Sequence, residues 1–183
     1  MKLSIRNVGK LKEADVEING ITVIAGENNT GKSTVSKTLF SLFNGFYNFD
    51  NKMLKLKSKD IRNIFWRFIK NLNRENANIL IDISDKIVKD TSYKFDRNKL
   101  IKLIQENRNF ISIEYLGEVS EKIFDILNIK DEEYLENTIS YILNNEFDNQ
   151  INTIWSDDLG EIALKIKENE LKLKIKNNKV IKI

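Results

Sequence analysis

Residues 26–33 read Gly26-Glu27-Asn28-Asn29-Thr30-Gly31-Lys32-Ser33, and they fill every fixed position of the pattern G-x-x-x-x-G-K-[ST]. No other feature limits so sharply what the chain can fold into, because the pattern belongs between a strand and the first turn of a helix. Gly26 and Gly31 permit turns that a side chain blocks, so successive backbone N–H groups can converge on phosphate oxygens. Lys32 carries a compact cation toward terminal phosphates, and the Ser33 hydroxyl can join the shell of a Mg²⁺ ion. The expected phosphate-binding set is Gly26, Asn28, Asn29, Thr30, Gly31, Lys32, Ser33 and Thr34, with backbone N–H groups lining the anion pocket. The flanks suit the pattern. Ile21-Thr22-Val23-Ile24-Ala25 reads as a short buried strand, and Val35, Leu39, Leu42 and Phe43 recur at helical spacing just after the loop.

The rest of the composition narrows the chemistry. With no cysteine among 183 residues, disulfides and thiolate catalysis are excluded, and with no histidine the usual neutral-pH base and commonest metal ligand are missing. Any Mg²⁺ must then be held by hydroxyl, carboxylate, water and phosphate oxygens. There is no apolar run long enough to span a membrane and no apolar signal core after Met1, so the chain reads as cytoplasmic with no membrane partner. The formal charge of +3 is a weak hint of polyanion affinity and reads first as a solvated mixed-charge surface.

Periodicity divides the chain into three stretches, 1–45, 46–150 and 151–183. In the first, Lys2 to Val8 and Ala14 to Ile18 alternate apolar and polar residues as half-buried strands, and Asn19-Gly20 signals a hairpin turn into residues 21–25. The second is mostly helical. Ile61, Ile64, Phe65, Phe68, Ile69 and Leu72 make one apolar stripe. Leu100, Leu103 and Ile104 make a second, and Val119, Ile123, Ile126 and Leu127 a third. Tyr134, Leu135, Ile139, Ile142 and Leu143 make a fourth. Aromatic residues within such stripes are core, which argues against Phe65 or Trp66 as a base-stacking platform. Residues 110–115 read as an interposed strand. From residue 161 the period switches to two, and Ile162, Leu164, Ile166, Leu171, Leu173 and Ile175 alternate with polar residues, so a three-stranded meander is expected over 161–183. Residues 165–183 hold seven lysines against Glu168 and Glu170, which gives that meander a basic face. A face of this kind suits nucleic acid, but it also suits plain solvation with lysines guarding a sheet edge.

The order Lys2-Leu3-Ser4-Ile5-Arg6-Asn7-Val8, then Ala14 to Ile18, then Gly20 through Thr34 resembles the opening of the ABC-type ATPase heads. The closest group is that of the SMC-like, RecF-like and OLD-family bacterial AAA ATPases. The resemblance implies an α/β P-loop NTPase fold of ABC-ATPase type, with an antiparallel β subdomain and a helical insertion after the first helix. It implies ATP as ligand with Mg²⁺, Lys32 on the β- and γ-phosphates and Ser33 on the metal. A homodimer through paired heads, and DNA as a partner in a longer protein, follow from the same resemblance. The family's later parts do not stand in this sequence. After Gly31 only the isolated Gly45, Gly117 and Gly160 remain, so there is no glycine-pair signature. Ile79-Leu80-Ile81-Asp82 resembles a Walker B strand, but Ile83 takes the place of the catalytic glutamate. The helical spacing of Ile79, Ile83, Ile87 and Val88 makes residues 78–89 an amphipathic helix. Gln105 and Gln150, the only glutamines, do not stand at the end of a strand. The chain is therefore expected to be an N-terminal piece of a longer ATPase that binds ATP and hydrolyses it poorly alone. Two further classes stay open. Asp157-Asp158-Leu159-Gly160 fits the D-x-x-G element of a small GTPase-like switch or a kinase, and a non-enzymatic interaction module would use the loop only for stability.

Overall fold

Alternating apolar residues at the two ends of the chain meet in one sheet. The structure, a computed structural model, describes residues 1–69, 74–106 and 113–183. Strands β1 (Lys2–Val8), β2 (Leu11–Glu17), β3 (Gly160–Ile166), β4 (Asn169–Lys176) and β5 (Lys179–Lys182) form an antiparallel sheet in the order β2-β1-β3-β4-β5. Among the described residues there are also six α-helices, so the class is α/β. The expected meander and the opening strands thus share one sheet, joined by β1 against β3.

Register explains the joint. Leu3 lies opposite Leu164 and Ile5 opposite Ile162, while Ile162 in turn faces Leu173 and Ile175 faces Val180. Because side chains alternate across a strand, this pairing puts a continuous apolar row on one face. The row is covered by α1 (Lys32–Phe46) and α6 (Asp131–Glu146), which contribute Val35, Leu42, Ile139 and Leu143 to the same core. The opposite face carries the exposed lysines 165, 172, 174 and 182. Alternation breaks at one place: Asn7 has φ 51°, so Val8 turns inward beside Ile5 instead of outward. Short polar asparagine tolerates this left-handed geometry better than most residues.

The face that α1 buries takes in Val35, Leu42 and the partly buried Leu39, as expected, but not Phe43. Thr34, Val35, Thr38, Ser41, Leu42 and Gly45 are buried, whereas Phe43 and Phe40 point to solvent. Close approach of α6 is the reason. A Cβ on Gly45 would lie 2.8 Å from a side-chain carbon of Ile139, so only small residues fit that side of α1. On α6, Ser140 accepts the N–H of Val180 through its hydroxyl at 2.8 Å, and Asn144 donates to the Asn178 carbonyl at 2.8 Å. Both bonds tie α6 to the edge strand.

Two compact units result, Met1–Tyr47 with Glu132–Ile183, and Asn48–Asp131. The stretch expected to be helical over 46–150 is divided between the two units, since nearly all of α6 belongs to the unit with the sheet. The second unit contains α2 (Phe49–Phe68), α3 (Arg74–Lys89), α4 (Arg97–Glu106) and α5 (Leu116–Asn128). Its core holds Ile61, Phe65, Ile83, Ile87, Leu100, Ile104 and Ile123, from the stripes read from spacing. Asp82 sits exposed on α3, a helix rather than a strand. Residues 113–115 form a 3-10 turn, and Leu72 and residues 110–112 lie outside the described residues. Asp90 caps the 3-10 turn at Thr91–Lys94. Hydrogen bonds from Ser92 and Lys99 hold its carboxyl down at about 2. No helix among the described residues is long and apolar enough to cross a membrane.

The two faces of the meander should answer differently to truncation. Leu173→Ala, in the buried row, is expected to cost about 2–5 kcal/mol in denaturant unfolding. Lys172→Ala, on the exposed face beside Leu173, should stay within about 0.5 kcal/mol. Equal losses would contradict the assignment of faces.

Candidate functional site

The sequence called for strand, loop and helix, and the structure supplies loop and helix. Residues 21–25 are not a strand. Ile21 is 95% exposed and Val23 83%, and the segment runs unpaired after the bend at Asn19-Gly20. Apolar, β-branched composition favours a pleated, half-buried surface, but a strand also needs a neighbour to take its N–H and C=O groups. The exposed edge of β2 does not provide it.

The loop itself closes through its own polar atoms. The Thr30 hydroxyl donates to the Glu27 carbonyl at 2.9 Å, and the Lys10 ammonium donates to the Asn29 side-chain carbonyl. Lys32 folds back over the loop, donating to the carbonyls of Gly26 at 2.7 Å and of Glu27. Gly31 has φ 88°, and a Cβ there would lie 2.4 Å from the Leu11 side chain. Glycine is required on both counts. The helix α1 begins directly after Gly31 with no side-chain cap and no acidic residue in its first turn. Its positive end is therefore left for an external anion.

These pieces line a cavity of about 730 Å³. Asn28, Asn29, Thr30, Gly31, Lys32, Ser33 and Thr34 all border it; Gly26, of the expected set, does not. Thr34 contributes less than expected. Its side chain is buried, and its N–H donates to the Gly31 carbonyl at 3.0 Å. Ser33 is exposed at the first turn of α1. Three lysines, Lys10, Lys32 and Lys37, face the cavity against the single carboxylate of Asp148. Lys37 is held by the Glu146 carbonyl and lies 5.7 Å from the Phe147 ring centre. A concave surface with that excess of cations and one uncapped helix end favours a polyanion.

Sequence reading missed the far wall. Gln150, Ile154 and Trp155 border the cavity from the segment between α6 and β3, brought there by the sheet rather than by local order. The one local signal is an Ile-Trp pair inside a polar stretch. Elements read as alternatives lie elsewhere. Asp157 and Asp158 form a bend outside the cavity lining, where the Asp158 N–H donates to the Ser156 hydroxyl at 3.0 Å. Gln105 is an exposed residue of α4, and Trp66 is 47% exposed on α2. Among the described residues no cluster of three or more carboxylates offers a ready metal site. No family model, curated protein or solved structure matches this chain.

The geometry at Gly31 makes a direct prediction. Gly31→Ala should destabilise the protein by about 1–3 kcal/mol in denaturant unfolding, from the left-handed φ and the contact with Leu11. An unchanged midpoint would mean that the loop adopts another conformation.

Proposed function

We propose that the chain binds Mg·ATP in the cavity at the start of α1, as the nucleotide-binding module of an ABC-type ATPase of the SMC-like, RecF-like and OLD-family group. One observation carries the reading: Asn28 to Ser33 of the phosphate-loop pattern line one cavity together with Lys10, Lys37 and an uncapped helix N-terminus. Lys32 would leave the carbonyls of Gly26 and Glu27 to meet the terminal phosphates, exchanging two neutral acceptors for charged ones. The N–H groups of the loop and of the first turn would take the remaining phosphate oxygens. The donor set suits a hard cation. Ser33 offers a hydroxyl and Asp148 an exposed carboxylate on the same cavity, with no nitrogen or sulfur ligand competing. Mg²⁺ bound there would neutralise phosphate charge and fix the chain of phosphates.

The placement of β1 and β2 with β3, β4 and β5 in one antiparallel sheet supports the ABC-type reading, since the resemblance implies such a subdomain. The unpaired segment at 21–25 departs from it, because a phosphate loop in a P-loop NTPase follows a strand of the sheet. Pairing of two heads and action on DNA within a longer protein rest on the resemblance alone.

Mg·ATP at 100 times its dissociation constant should add about 2.7 kcal/mol to stability, read as a rise in melting temperature. Lys32→Ala removes the cation that meets the terminal phosphates and should abolish the rise. A rise that persists in the variant would overturn the assignment.

Hydrolysis is a separate question. It needs a group that orients the attacking water and charges that stabilise the transition state. Lys32 and Mg²⁺ hold the ground state, and the only carboxylate on the cavity is the exposed Asp148. Steady-state phosphate release should therefore not exceed that of the Lys32→Ala blank. Turnover of about one per second or faster, lost in the variant, would contradict this and point to Asp148 as base.

A further inference from the structure

The phosphate loop accounts for part of the cavity lining and leaves Ile154 and Trp155 without a role. Trp155 is 77% exposed there and Ile154 65% exposed. Their segment is not loose. Gly9 N–H donates to the Ile151 carbonyl at 2.7 Å, and Thr153 N–H to the Asn7 carbonyl at 3.2 Å. Val8 and Asn152 form an antiparallel bridge. Asn152 and Asn178 exchange two bonds of 2.9 Å between backbone N–H and side-chain carbonyl. Ile151 and Thr153 point inward and are buried, so the chain is fixed directly before the turn that presents Ile154 and Trp155. The Trp155 N–H closes that turn on the Thr153 hydroxyl at 3.3 Å.

A large aromatic presented to solvent next to an anchored backbone forgoes the burial that usually stabilises tryptophan. Here it borders the same cavity as the loop of residues 28–33. A nucleoside triphosphate has the matching polarity: a polyanion at one end and a flat ring at the other. The cavity volume of about 730 Å³ falls within the usual range for small-molecule sites. Resting on the nucleotide reading given above, we propose that Trp155, backed by Ile154, is the base wall of the site and selects purine over pyrimidine nucleoside triphosphates. Stacking depends on ring overlap, so a two-ring base gains more than a one-ring base, and it costs the side chain little because the backbone is already fixed. Adenine and guanine are not separated by stacking alone.

The chain has two tryptophans, which makes the test specific. In the full chain carrying Trp66→Phe, Trp155 is the sole indole reporter. Its emission is measured during titration with ATP, UTP and inorganic tripolyphosphate, each with Mg²⁺, and affinities are measured in parallel by calorimetry. ATP should quench Trp155, whereas tripolyphosphate should bind without quenching. Trp155→Ala should weaken ATP on the order of ten- to a hundredfold, with Trp155→Phe retaining most of the affinity. The same Ala variant should bind tripolyphosphate within about twofold of the parent, which also shows that it is folded, and should lose the preference for ATP over UTP. If tripolyphosphate binds in a Lys32-dependent way but ATP leaves Trp155 emission and the Trp155→Ala affinity unchanged, the base wall is wrong and the phosphate site stands. Equal affinities for ATP and UTP in the parent would overturn the purine selection. Failure of both ATP and tripolyphosphate to bind would overturn the wall and the nucleotide reading together.

Discussion

Everything that positions the cavity depends on the pairing of β1 with β3. Leu3 against Leu164 and Ile5 against Ile162 join the first residues of the chain to its last quarter and complete the apolar row that α1 and α6 cover. Neither strand pair would be stable alone in water, and two hairpins with small apolar faces reach independent stability only as one sheet with helices on it. The pairing closes a long loop that contains the whole Asn48–Asp131 unit. Closure cost grows slowly, by about 0.6 kcal/mol for each doubling of loop length, so an inserted helical unit is tolerated. Where β1 ends, Asn7 turns to φ 51° and its carbonyl accepts from Thr153. There the end of β1 bonds to residues 151–153, just before Trp155, which lines one cavity with the loop.

Charge then decides what the cavity can hold. Lys10 approaches from the β1–β2 turn and Lys32 and Lys37 from the first two turns of α1, and the helix adds its own positive end. In water such charges repel and are solvated; gathered in a concavity they raise the local concentration of an anion. Lys32 shows how the repulsion is relieved, since its ammonium rests on loop carbonyls that a phosphate would replace. On the proposed reading, the same arrangement would bind a nucleotide without turning it over. Cations placed for the ground state accelerate nothing unless some group acts more strongly on the transition state.

Sequence periodicity made much of this legible. Alternation at residues 2–18 and 161–183 placed the strands, and 3.6-residue stripes placed the helices, because both patterns record burial of one face. The phosphate loop was legible as a fixed set of residues with a mechanism attached. Residues 21–25 were not, since β-branched composition reports a preference for pleated backbone and says nothing of whether a partner strand exists. Phe43 misled for a related reason: helical spacing allowed two faces of α1, and the choice fell to Gly45 and the close approach of Ile139. Trp155 left only an Ile-Trp pair as a signal, and Gln150 was weighed only against a strand end, because a lining assembled by long-range register leaves little local pattern.

The claim at the centre of this account is that backbone N–H groups at the start of α1 bind phosphate. Amide chemical shifts of the isotopically labelled chain, followed during titration with Mg²⁺-tripolyphosphate, test it residue by residue. The largest and saturable changes are predicted at Gly31, Lys32 and Ser33, with small changes across β4 and β5. Saturable changes centred elsewhere, with those three amides unmoved, would contradict it.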